Sequence, residues 1–185
     1  MAGLTARVRL VSNALLLLGG STIASLEGNS TGAILGSNLF ENTYLSMLES
    51  HRWGFAKKTQ ELARLSTTPI SRFQYAFAIP NDFLYTVQGS SRDFEIFGTE
   101  IHSNDLTFTL TYVSTIEEDK LPAYFAKALE FNLASLFAIP LTGDLEKGSY
   151  YSKVYVDHIK KAKFADSTQY PETAVQDSPY VDVRY

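Results

Sequence analysis

Cysteine is absent from this chain of 185 residues. Its absence excludes disulfide bonds, thiolate zinc sites and a cysteine nucleophile together. Long hydrophobic runs are missing too, because the longest, residues 14–18, falls far short of the roughly 20 apolar residues that a membrane-spanning helix requires. The sequence therefore predicts a protein that needs neither a disulfide framework nor a membrane.

Positive charge is also scarce. The chain has 16 Lys and Arg against 20 Asp and Glu, which gives a net charge of −4. A protein that grips nucleic acid normally shows a basic patch. The lysines at positions 160, 161 and 163 lie in one predicted helix and are typical of its solvated side. We therefore expect no surface that binds DNA specifically.

Catalytic and metal-binding motifs are equally sparse. His51, His102 and His158 lie on three different predicted elements, without the spacing of a zinc site. The chain has no P-loop and no dinucleotide-binding fingerprint. The sequence therefore predicts no cofactor, no metal and no enzyme.

Four helices are predicted from apolar periodicity and from end signals. The first is expected to begin with Thr5 as its N-cap and to end at Gly19 and Gly20. The second covers residues 31–50. The third is expected from residue 121 until Pro140 and Gly143 end it, and Asp144 is expected to cap the fourth.

Between the second and third helices the pattern changes to strands. Large and small residues alternate over residues 73–79, and apolar residues alternate with threonine over residues 106–113. Shorter runs at 62–66, 83–87, 94–97 and 100–102 complete the series. Helices, then strands, then helices, without βαβ alternation, predict an α+β fold. We expect a four-helix bundle (residues 1–50 and 120–166) with an inserted antiparallel β meander as a platform (51–119).

The last residues predict an extended arm, which we place at 167–185. The chain from residue 166 has no periodicity until Tyr180, yet it is too apolar for an ordinary disordered tail. Its twenty residues span about 66 Å when extended, whereas a domain of this size is about 40 Å across. We therefore expect the arm to bury its side chains on a neighbouring molecule. The candidate contact residues are Tyr170, Pro179, Tyr180, Val181, Val183, Arg184 and Tyr185.

Four blocks of sequence, in order, resemble tail tubular protein A, the head-to-tail adaptor of short-tailed phages. The first block is Asn13-Ala14-Leu15-Leu16-Leu17-Leu18-Gly19-Gly20, followed by Ile23, Ser25 and Leu26. The second is Trp53-Gly54-Phe55-Ala56, and the third runs from Tyr75 to Ile79-Pro80-Asn81-Asp82-Phe83. The fourth comprises Tyr124-Phe125, Ala128-Leu129, Leu133-Ala134 and Pro140-Leu141-Thr142-Gly143. The blocks span residues 13–143.

The resemblance implies a structural virion protein at the head-to-tail interface, assembled in the host cytoplasm. Its copies would form a ring, a dodecamer in this family, between the portal protein and the tail nozzle protein. Tail fibres are a further candidate partner. The ring would surround the channel through which double-stranded DNA leaves the head, without binding it specifically. The family also has a helical bundle, a β-rich platform and a C-terminal segment that embraces a neighbour.

Three residues outside the arm are candidate partner contacts, each with a structural alternative. Trp53 is the only tryptophan, a residue enriched at interfaces, but it would serve equally to close the corner after the second helix. Asn81 and Asp82 form a turn signal after Pro80, or a polar loop that faces a partner.

Carboxylates offer the one alternative function. Glu95 and Glu100 flank a predicted turn, with Asp93 close by. Paired acids about 5–10 Å apart can hydrolyse a glycosidic bond. A glycan-cleaving hydrolase, or an adaptor with that side activity, is therefore the second hypothesis, although a solvated sheet face carries such acids anyway.

Overall fold

A computed structural model describes residues 2–169 and shows a mixed α+β protein. All the strands of this part of the chain lie between the second and third helices. The four helices are α1 Ala2–Leu17, α2 Thr31–Glu49, α3 Ala123–Thr142 and α4 Leu145–Ser167. The strands are β1 Lys57–Glu61, β2 Tyr75–Ala78, β3 Phe83–Gly89, β4 Phe94–Phe97, β5 Glu100–Ser103 and β6 Thr109–Ser114.

Local chemistry explains most helix ends. The Ser30 side chain accepts a hydrogen bond from Ala33 N and so caps α2. Asp144 caps α4 in the same way, as predicted, by accepting from the backbone of Glu146 and Lys147. Gly143 ends α3 with a φ of +68°, a conformation that glycine adopts without strain.

Two predicted helix signals are wrong. Thr5 is not an N-cap, because α1 already begins at Ala2. Pro140 does not end α3 but lies inside its last turn, and the helix continues to Thr142. A proline breaks a helix by removing one N–H and crowding the preceding turn, and only two further residues follow Pro140 before the helix ends.

The predicted meander is corrected by the pairing of the strands. They form two antiparallel sheets of three strands, in the orders β1-β6-β3 and β2-β5-β4. Only β4 and β5 are neighbours both in the chain and in a sheet. The central strands, β5 and β6, carry the most buried side chains, whereas β1 is almost wholly exposed. The buried strand β6 therefore pairs with β1 and β3, which are not adjacent to it in the chain. The strand predicted at residues 62–66 is reduced to an isolated antiparallel bridge between Arg64 and Phe77, because β1 ends at Glu61.

The helices enclose one core. The helix α3 contacts each of the other three helices, and α1 also contacts α2. The buried residues at its centre include Leu10, Val11, Phe40, Trp53, Phe125, Leu129 and Phe137. Burial of such side chains contributes about 1.5–3 kcal/mol each.

A second, smaller core lies with the sheets. Its buried residues are Leu62, Phe77, Ile101, Phe108, Leu110 and Tyr112. The strand β6 serves both cores, because Leu110 and Tyr112 belong to the second and Val113 to the first. Successive side chains of β6 point to opposite faces, so this one strand contributes both to the helical core and to the core of the sheets.

Candidate functional site: contact surfaces and an apolar groove

Trp53 lies in the corner that follows α2. It has no exposed surface, and its Nε1 donates a hydrogen bond to Met47 O at 2.9 Å. Its ring meets that of Phe125 edge to face, with 5.1 Å between centroids. Trp53 therefore packs in the core. The prediction that it contacts a partner is corrected, because no part of its side chain is exposed.

The same corner holds a buried carboxylate that sequence reasoning missed. Asp166 is 1% exposed and accepts hydrogen bonds from Gly54 N at 2.8 Å and from the Tyr124 hydroxyl at 2.9 Å. His51 Nε2 lies 3.9 Å from it, and burial lowers the pKa of His51. Asp166 therefore fixes the end of α4 at this corner, and with it the point from which the chain continues beyond Gln169.

Asp82 is a structural residue of the loop before β3. Its side chain accepts hydrogen bonds from Lys58 and, at 3.0 Å, from the Tyr112 hydroxyl. Burial opposes ionisation of Asp82, but those two hydrogen bonds outweigh it and hold its pKa below the usual range. Asp82 thus ties the start of β3 to both other strands of its sheet. The neighbouring Asn81 is exposed.

The acids of the hydrolase hypothesis are engaged by other side chains. The Arg72 guanidinium contacts Asp93 at 2.9 Å and Glu95 at 3.0 Å. Glu100 Oε2 lies 3.2 Å from His102 Nε2. A glycosidase needs one acid free to protonate the leaving oxygen and a second free to attack or to activate water. In this arrangement Arg72 pairs with Asp93 and Glu95, and the His102 ring lies beside Glu100, so each of the three acids has a partner side chain.

Among the lysines at positions 160, 161 and 163 of α4, Lys163 has a structural contact. Its Nζ donates to Ser50 O at 3.0 Å, next to the C-terminus of α2. A cation at that position is favourable because the last carbonyls of a helix carry partial negative charge. Lys160 and Lys161 are exposed.

An apolar groove of about 310 Å³ opens between the end of α1, the start of α2 and the end of α3. Its floor is formed by leucine and isoleucine, and its rim carries hydroxyl groups. The lining residues are Leu15, Leu18, Gly19, Gly20, Ser21, Thr22, Ile23, Ser30, Gly32, Leu141 and Thr142.

Glycines shape this groove. Gly19 ends α1 with a φ of +82°, and the N–H of Gly20 then bonds to Leu15 O at 2.9 Å. A Cβ on Gly32 would come within 2.7 Å of Leu15 Cδ1, so α2 approaches α1 only because no side chain is present. The backbone N–H of Ile23 donates to Ser12 Oγ at 3.1 Å and holds the connector in place.

The C-terminal contact residues predicted from sequence lie outside the described residues. They are Tyr170, Pro179, Tyr180, Val181, Val183, Arg184 and Tyr185. The described chain does show that α4 extends to Ser167 and that Asp166 is buried. The segment available as an arm therefore starts after α4, slightly later than the predicted boundary at 167.

Two classes of site are not found in the described part of the chain. No three acidic or histidine side chains there come close enough together to hold a metal ion. None of the four helices is long and apolar enough to span a membrane. Compared with known proteins, the chain matches no protein-family model and no curated protein.

Proposed function

We propose that this chain is a structural virion protein, the head-to-tail adaptor of a short-tailed phage. Its copies form a ring, a dodecamer as in the family it resembles, between portal and tail nozzle. The helices pack as a four-helix bundle that docks on the portal, and the sheets face the nozzle, with tail fibres as a further partner. The C-terminal segment contacts a neighbouring copy.

The observation that carries the proposal is that the sequence blocks that resemble the adaptor family contact one another in the fold. Trp53 of the second block packs on Phe125 of the fourth at 5.1 Å. Asn13 of the first donates at 2.6 Å to Oε1 of Glu130, which follows Leu129 of the fourth block. Leu15 and Leu133 belong to the same core. Residues far apart in the chain thus lie in blocks that resemble the adaptor family and also form one contiguous packing unit, as expected if the likeness reflects a shared architecture.

Exposed apolar side chains on the helices also support a role in assembly. Leu16, Leu136, Ile139 and Phe164 are each at least 43% exposed. Single exposed apolar residues are ordinary, but a subunit surrounded by partners has a use for many of them. They supply surface for the portal and for neighbouring copies to cover.

The charge of the protein suits a DNA channel. With a net charge of −4, the ring has few cations to neutralise phosphates. DNA then slides through the lumen without being held. A basic inner wall in an assembled ring would contradict this part of the proposal.

Mixing the protein with the portal protein of the same phage tests the function. We expect electron micrographs to show an additional ring on the portal when the full chain is added. The matched variant replaces Tyr180, Val181, Val183 and Tyr185 with serine, which leaves the described residues unchanged. We expect it to keep its helical circular dichroism and to lose most ring formation. A full chain that adds no density to the portal would refute the adaptor function.

A further inference from the structure

We propose that the apolar groove beside the end of α1 receives residues 180–185 of a neighbouring copy, an inference that rests on the proposed ring. The groove is then the specific surface on which the C-terminal segment docks. The contact is heterologous, since the groove of one copy takes the segment of the next, and repeating it around an axis closes a ring.

The groove is suited to apolar side chains. Its volume of about 310 Å³ lies at the small end of the range for ligand pockets. Leu15 and Leu18 on its floor already belong to the helical core, so an incoming side chain extends that core. The hydroxyl groups of Ser21 and Thr22 stand at the rim, where they can bond to the backbone of an extended peptide.

Two of the blocks that resemble the adaptor family converge here. Residues 15–20 and Ile23 come from the first block, and Leu141 and Thr142 come from the fourth. The glycines that end α1 and keep Leu15 close to α2 are part of the groove wall. Close packing is the usual state of a protein interior, so an apolar depression beside this close α1–α2 contact is a site for something from outside.

The chemistry of residues 180–185 matches this groove. In an extended chain, successive side chains point to opposite sides. Val181, Val183 and Tyr185 then share one side, while Asp182 and Arg184 share the other. One side of such a strand can enter an apolar groove while its two charges remain in water.

The length of the C-terminal segment favours docking in the groove of a neighbouring copy over docking in the groove of the same copy. The helices α3 and α4 pack together across a short connection, so the groove residue Thr142 lies near the start of α4. The segment leaves from the far end of α4, about 35 Å away for a helix of 23 residues. Eleven residue steps separate Gln169 from residue 180, and they span at most about 36–40 Å. Residue 180 therefore reaches its own groove only along a nearly extended path, whereas an adjacent copy can bring its groove closer.

Cysteine cross-linking tests this directly, because the natural chain has no cysteine. Full-length Val181→Cys is mixed with full-length Ser21→Cys, whose substitution lies on the exposed rim, and a short bismaleimide is added. The reaction is run in concentrated solution and on the portal. We expect a cross-linked dimer, at least tenfold more abundant than with the control Thr67→Cys, an exposed position on the sheet side.

A blocking variant sharpens the result. Thr22→Trp fills the groove mouth and should reduce the cross-link at least tenfold, whereas Thr22→Ser should leave it unchanged. Dimer formation that is equal for Ser21→Cys and Thr67→Cys would overturn the inference. So would a cross-link that forms only within one molecule in the double variant of Ser21 and Val181.

The outcomes also separate this inference from the function. A ring on the portal without the cross-link overturns the groove as acceptor and leaves the adaptor function standing. A cross-link between copies without any ring on the portal supports the acceptor groove and counts against the adaptor function.

Discussion

At the scale of single residues, Asp166 connects three elements of the fold. Its two carboxylate oxygens accept hydrogen bonds from Gly54 N and from the hydroxyl of Tyr124. Both donors are thereby satisfied at a corner where Trp53 excludes solvent. A buried donor that loses its acceptor costs about 1–3 kcal/mol. This one side chain therefore contributes substantially to the placement of α4.

We predict that Asp166→Ala lowers the free energy of unfolding by about 1–3 kcal/mol, because the half-buried Gly54 N–H and Tyr124 hydroxyl lose the hydrogen bonds that this carboxylate accepts. Denaturant unfolding followed by Trp53 fluorescence measures the change. Asp157→Ala is the matched control, an exposed aspartate on the same helix, and should change stability by less than about 0.5 kcal/mol. Equal effects of the two substitutions would contradict the structural role of Asp166.

The burial of Asp166 had a signal in the sequence. Along α4, Asp166 continues at helical spacing a stripe formed by Tyr151, Tyr155, Ile159 and Ala162. An acid at the end of such a stripe is ordinarily solvated, so spacing alone does not reveal its partners. They come from residues 54 and 124, which no local pattern links to position 166.

At the scale of elements, helix ends were largely predictable and strand neighbours were not. The caps at Ser30, Asp144 and Gly143 act through groups within four residues along the chain. A strand's alternation identifies which side is buried, but the partner strand is chosen by the packing of the sheet. The meander was predicted from chain order, whereas β6 pairs with strands that begin at residues 57 and 83.

Two glycine substitutions in neighbouring elements should have opposite signs. Gly143→Ala should destabilise the protein by about 1 kcal/mol, because alanine is strained at a φ of +68°. Gly148→Ala should stabilise it by about 0.5–1 kcal/mol, because alanine favours a helix interior. The new methyl group would meet Ile139 at 3.6 Å, an ordinary contact distance. Thermal unfolding measures both changes, and shifts of the same sign would refute this account of the α3–α4 connection.

At the scale of the whole molecule, buried tyrosines connect the helices to the sheets. The Tyr44 hydroxyl, on α2, donates to Ile116 O and accepts from Ile116 N, just after β6. Tyr112, in the second core, donates to Asp82. The pKa of both phenols is raised to about 12, mainly by burial and, for Tyr112, also by the Asp82 carboxylate. The folded protein therefore keeps both protons at a pH where the unfolded chain releases them.

We predict a loss of stability at high pH. The unfolded phenols ionise near pH 10, so the stabilisation from the two protonated groups is complete below pH 10. It is lost as the pH rises from 10 to about 12. Denaturant unfolding at several values in this window measures the slope. Tyr112→Phe should reduce the slope, whereas Tyr150→Phe, at an exposed phenol, should leave it unchanged. A slope that Tyr112→Phe does not alter would contradict this assignment.

The sequence by itself determined the α+β class, the order of helices and strands and most helix ends, because these depend on residues within a few positions of one another. Only the tertiary structure decided which strands are neighbours, that Trp53 and Asp166 are buried together, and that the ends of α1 and α3 enclose an apolar groove. Those features arise from contacts between residues far apart in the chain, such as Gly54 and Asp166, which are separated by 112 positions. Packing selects such contacts by the burial they achieve across the whole molecule, and a periodic pattern specifies a face without naming its partner.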